Sequence, residues 1–172
     1  MTRTKAIIIV ICVFVLCIVA LIFENKIFDT KDSELNDSFL IEKSYINFAW
    51  DFTYEGKVID ASGNIYSWNT FDKNDIKDVS TKDTFTVFLK NKATLLDQKV
   101  SSSDLKKIKE YIKSINEEDY ADLECRGADQ GSKSIVLYKE RLIIKLSESG
   151  DCNGTISSKE AEELIKIVDK YL

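Results

Sequence analysis

The residues whose types and spacing best suit chemistry lie near the C-terminal end, in Ser149-Gly150-Asp151-Cys152-Asn153-Gly154-Thr155-Ile156-Ser157-Ser158-Lys159-Glu160. This order follows much of the calcium loop of EF-hands. Asp151, Asn153, Ser157 and Glu160 would supply hard oxygen ligands, Gly154 the sharp bend, and Ile156 the apolar position after it. Ser149 stands where the first ligand should be an aspartate, which removes a full negative charge, and the incoming segment reads as a strand rather than a helix. The same letters also describe a glycine turn followed by a capping box, with Ser157 and Glu160 serving a helix start. We take the turn and cap as the primary expectation and calcium as its alternative; no other cofactor is expected.

Cys125 and Cys152 are the cysteines outside the apolar N-terminal segment, which carries Cys12 and Cys17. Their separation is not the close Cys-x-x-Cys spacing of a redox pair, so a structural disulfide is the natural reading in an oxidising compartment. Closing a loop of this length corresponds to about 3.5 kcal/mol of chain entropy.

Enzymatic options are few. The chain has no histidine and no proline, which excludes His-dependent triads, His-ligated metals and Pro-rich recognition segments. No Gly-rich phosphate loop is present. Glu117, Glu118, Asp119 and Glu124 cluster in sequence, and a pair of carboxylates can hydrolyse a glycosidic bond, so a small cell-wall hydrolase is a second alternative. Runs of acids are more often solvated loops, and no catalytic residue is assigned. With a formal net charge of -5 and no long Lys/Arg run, the chain does not offer a nucleic-acid surface.

The elements that must carry these residues begin with a membrane segment. Arg3 and Lys5 precede an uninterrupted apolar run from Ala6 to Phe23. As a helix this run covers roughly 27 Å, close to the hydrocarbon thickness of a bilayer. The flanking positive charge places the N-terminus in the cytoplasm and the remainder outside. Ala20 preceded by Ile18 is a poor cleavage site, and Leu16 before Cys17 does not fit a lipoprotein signal, so the expectation is an uncleaved single-pass signal anchor. Residues 1–23 are then the cytoplasmic tip and transmembrane anchor. Residues 24–43 are mixed in charge and read as a polar tether. Residues 44–172 have the length of one extracytoplasmic domain.

Within that domain, Ile46, Phe48, Trp50, Phe52 and Tyr54 recur at period two and give the clearest strand signal. Lys57–Asp60 and Ile65–Asn69 flank Ala61-Ser62-Gly63-Asn64 as a hairpin. Asn69–Lys82 reads as a surface connection, and Asp83–Leu89 as a short helix. Ser101 can cap a helix with Leu105, Ile108, Ile112 and Ile115 on one stripe. Ser134–Tyr138 and Leu142–Leu146 form a second hairpin, and a final helix buries Ala161, Leu164, Ile165 and Val168. The expected fold is α+β, an antiparallel sheet with helices packed on one face. Trp50, Trp68, Tyr66 and Phe48 could line a binding surface, but buried core is the expected fate of most.

The segments YEGKVIDASGNIYSWN, SSSDLKKIKEYIKSI and IIKLSESGDCNGTISSKEAEELIKIV resemble those of small uncharacterised exported domains of clostridial-type Gram-positive bacteria. The resemblance spans most of residues 50 to 170 and implies no activity. The functional expectation is therefore a non-catalytic interaction or ligand-binding module at the cell membrane. It would meet an extracytoplasmic protein or cell-envelope ligand.

Overall fold

A computed structural model describes residues 34–49, 51–116 and 131–172, and the backbone of 120–125. The chain divides into two units, Met1–Glu34 and Leu35–Leu172, and every element below belongs to the second. The candidate membrane segment at residues 6–23 lies outside the described residues, among which no helix is long and apolar enough to cross a membrane.

The order is β1 (Phe39–Asn47), β2 (Thr53–Asp60), β3 (Asn64–Thr70), a 3-10 turn (Lys73–Asp75), α1 (Lys82–Lys92), β4 (Thr94–Lys99), α2 (Ser102–Ser114), β5 (Tyr120–Cys125), β6 (Ser132–Lys139), β7 (Leu142–Gly150), β8 (Cys152–Ile156) and α3 (Lys159–Tyr171). The strands make one sheet in the order β4-β3-β2-β1-β6-β7-β8-β5, with neighbours antiparallel. The α+β class is as the sequence indicates.

The placement of the helices is not. They cover both faces of the sheet rather than one. In β1, Phe39 and Ile41 enter one layer with α2 and α3, while Leu40 enters another with α1. A strand buried on both sides reads as a continuous apolar run, here Phe39-Leu40-Ile41, and hides the alternation that would reveal its two layers. The first layer is mainly aliphatic: Ile59, Ile65, Leu137, Ile144 and Leu146 pack against Ile108, Ile112, Leu164 and Val168. The second is aromatic: Tyr54, Tyr66, Trp68 and Tyr138 pack against Phe85 and Phe88 of α1.

Two boundaries also differ from the sequence reading. β1 begins at Phe39, inside the stretch read as tether. Leu35 already packs against the aromatic layer, and the backbone N–H of Asn36 donates to Asp60 at 3.1 Å. The period-two run Ile46–Tyr54 spans the connection between β1 and β2 rather than one strand. The side-chain oxygen of Asn47 accepts from the Ala49 N–H at 2.9 Å and turns the chain. Phe48 is left 58% exposed. The end of one strand and the start of the next keep the same phase across a short connection, which imitates a longer strand.

The β2–β3 hairpin forms as expected. Gly63 takes φ 79 at its turn, a conformation that a Cβ disfavours. The fully buried Asp60 carboxylate closes this turn by accepting from the N–H groups of Ser62 (2.9 Å) and Asn64 (2.8 Å) and from the Asn64 amide at 3.0 Å. The short helix read at 83–89 is α1, and Ser101 caps α2 by accepting from Asp104 N–H at 3.2 Å. The cap of α3 shifts by one residue. Ser158, not Ser157, accepts from the Ala161 N–H at 3.2 Å, so Glu160 does not occupy the third helical position that a capping box requires. Asp104 joins α2 to α3, accepting from Lys170 Nζ and the Tyr171 hydroxyl, each at 2.7 Å. These hydrogen bonds hold its carboxyl down at about 2. The arrangement sets an acid on the first turn of one helix and a cation on the last turn of the other, as the helix dipoles favour.

Candidate functional site

Adjacent residues of β1 open two different polar environments. Glu42 faces the aromatic layer and Lys43 the aliphatic one.

The lysine side is built by repetition. In three neighbouring strands the aliphatic phase runs out and the next residue in that phase is lysine: Ile41 leads to Lys43, Ile59 to Lys57, and Ile135 to Lys133. Register then assembles them. Lys43 pairs with Lys57 and Tyr45 with Glu55 across β1–β2, and Tyr45 pairs with Lys133 across β1–β6. Ser67 faces Lys57 from β3, while Ser149 faces Lys133 from β7. Directly paired residues share a face, so these side chains form one surface, bordered by Ile165 and Asp169 of α3. It contains two adjoining hollows of about 450 Å³ and 200 Å³ that share Lys43 and Lys133.

The charges in this groove are only partly answered. Lys43 Nζ lies 2.8 Å from the Asp169 carboxylate of α3. Among the described residues Lys57 and Lys133 enter no ion pair, and Glu55 on the rim lies beyond ion-pair distance of either. Like charges placed directly opposite in an antiparallel pair are destabilising, and Lys57 is half-buried.

Glu42, on the other side, is fully answered. It is 3% exposed and accepts from the Tyr54 and Tyr138 hydroxyls, each at 2.6 Å, the short distance of a charge-assisted O–H···O⁻ bond. Burial first, and the carboxylate's charge second, push both phenols far above their ordinary value, so they remain donors. The phenols are clamped in turn: Tyr138 stacks on Phe85 at 4.6 Å, and Tyr54 lies 5.5 Å from Trp68. Trp68 crosses β2 at Gly56, where a Cβ would come within 2.7 Å of the indole. The Trp68 indole nitrogen and the Thr86 hydroxyl are buried without a hydrogen-bond partner. This constellation is an enclosed brace between strands.

The proposed calcium ligands fall on different elements. Asp151 lies between β7 and β8, Asn153 is within β8, Ser157 follows it, and Glu160 is in the first turn of α3. Among the described residues no group of three or more acidic or cysteine side chains is placed to hold a metal. Cys125 and Cys152 are register partners across β5 and β8, beside a bulge. Glu117, Glu118 and Asp119 lie outside the described residues, and Glu124 is described by its backbone alone. Trp68 and Tyr66 are core, Phe48 is not, and Trp50 lies outside the described residues.

The sequence reading missed Lys43, Lys57 and Lys133, which share no spacing motif and are collected only by strand register. Their signal was a lysine two residues from an isoleucine, in the same strand phase, repeated in three segments. Compared with known protein families, with curated proteins and with solved structures, the chain finds no match.

Proposed function

We propose that this protein is a membrane-anchored extracytoplasmic binding module that uses the lysine groove to hold a ligand, without catalysis. The observation that carries the reading is the half-buried Lys57 set directly opposite Lys43, with no carboxylate among the described residues engaging it. Folding alone disfavours such a pair. Sites that break a local rule at a stability cost are where function is expected.

The anchor at residues 6–23 supplies the membrane and sets the N-terminus inside the cell. We propose further that Cys125 and Cys152 are bonded. Opposed residues of antiparallel strands have Cα atoms roughly 4.5–5.5 Å apart, within the range a disulfide spans, and such bonds persist in oxidising compartments.

The test is surface labelling of intact cells that express the full chain. Val87 on α1 is 58% exposed, and a Val87→Cys variant should react with a membrane-impermeant maleimide while the wild-type chain stays unlabelled. Labelling only after lysis, or strong labelling of the wild type, contradicts the topology and the bond respectively.

A further inference from the structure

We infer that the lysine groove binds a linear phosphate-bearing polyanion, laid across the strands rather than along them. This rests on the reading of the groove as a binding site and adds the chemistry of its occupant. Neighbouring strands are about 4.8 Å apart, so Lys57 on β2 stands directly opposite Lys43 on β1 at a step of that order, while Lys133 on β6 stands on the diagonal from Lys43, at about 7–8 Å.

The three lysines stand on three successive strands, two directly opposite and the third on a diagonal, and all three line the larger hollow. Each of these ammonium groups is exposed or half-exposed, so its contact with a single small anion is worth little in water. A chain carrying repeated negative charge meets them in series and releases counterions at each contact. The hollows that share Lys43 and Lys133 continue the track toward β7, where Ser147 and Ser149 line the smaller one. Their hydroxyls add neutral donors for phosphate oxygens. No arginine lines either hollow, so the groove offers spaced point charges instead of the planar fork that grips one carboxylate.

Two of the three lysines carry no ion pair among the described residues, although the protein as a whole is acidic. Lys43, Lys57 and Lys133 line the hollows with Glu55, Asp169 and the last residue, Leu172, and Asp169 is engaged by Lys43, which leaves Lys57 and Lys133 as the cations available to a ligand. The ligand is thus recognised by a cationic track on a chain whose net charge of -5 repels polyanions elsewhere.

The experiment uses the full chain in nanodiscs of neutral phosphatidylcholine, titrated with linear polyphosphate, orthophosphate, poly-glutamate and vesicles containing phosphatidylglycerol. Polyphosphate is expected to bind, with a log–log salt slope near about -2 for three lysines, hence roughly 15-fold weaker binding for a fourfold rise in salt. Lys57→Gln with Lys133→Gln should weaken it by roughly tenfold or more and flatten the slope. Lys106→Gln with Lys109→Gln, an equal change of charge on the outer side of α2, should leave it unaltered.

Absence of polyphosphate binding overturns the inference. So does equal affinity for poly-glutamate, equal affinity for orthophosphate per phosphate, binding confined to anionic vesicles, or full binding by the groove variant. Failure in any of these arms with surface labelling at position 87 intact removes the phosphate ligand and leaves the outward binding module standing. Failure of the labelling removes the module.

Discussion

The two faces of β1 treat charge in opposite ways. On the aromatic face one carboxylate is sealed from water and each of its oxygens receives a phenol hydroxyl. On the aliphatic face three ammonium groups sit at the margin of the core, and among the described residues only Lys43 is met by a carboxylate. A charge whose partners lie within the fold is committed to holding the fold together. A charge left half-buried and unanswered keeps its interaction free for something outside. The contrast teaches that burial alone does not mark a functional group; the state of its partners does.

The comparison breaks most visibly at Glu42. Glu42→Ala would leave two buried phenols without an acceptor, and the expected loss is about 3–4 kcal/mol from the unsatisfied donors and the vacated space. Urea unfolding of the full chain in neutral-detergent micelles measures it. A loss below about 1 kcal/mol would mean that the brace contributes little.

Alkaline titration examines the same brace. Tyr54 and Tyr138 are raised above the ordinary value of 10.0, so the native state keeps these protons where the unfolded chain releases them. Their contribution is complete below pH 10 and falls as pH rises beyond it, by about 1.4 kcal/mol per pH unit for each phenol. Replacing Tyr54 by Phe should halve that slope in a pH series of unfolding curves. An unchanged slope would contradict the placement of the phenols.

Acid acts elsewhere. Asp104 is held at about 2 by Lys170 and Tyr171, a depressed value. What it contributes is therefore present above the ordinary carboxylate range and lost as pH falls toward 2. Asp104→Asn should flatten this acid limb without touching the alkaline one. A steep acid limb in the variant would assign it to other carboxylates.

How much of this was legible in the sequence depends on which distances the argument needed. The β2–β3 hairpin, α1, α2, the β6–β7 hairpin and α3 each carry their signal within a few residues: a glycine at a turn, a serine before an apolar stripe. The second helical face was hidden because Phe39-Leu40-Ile41 is buried on both sides and reads as a plain apolar run. The phase of Ile46–Tyr54 was misread because a turn held by Asn47 carried the alternation through. β8 was obscured by letters that also spell a calcium loop, and the end of Cys152–Ile156 as a strand shifts the α3 cap to Ser158. The groove could not be read at all until register fixed Lys43 against Lys57 and Lys133 against Tyr45. Those residues are far apart in the chain, and nothing local joins them.

The smallest effect is also the most direct test of the unanswered charge. Lys57→Gln removes a like-charge opposition, so it should raise the stability of the full chain by about 0.5 kcal/mol. This is a substitution that helps the fold while weakening the groove. Unfolding midpoints of wild type and Lys57→Gln, measured side by side in low salt, decide it. A higher midpoint for the variant is the predicted result; a lower one would show that Lys57 already has its partner within the fold.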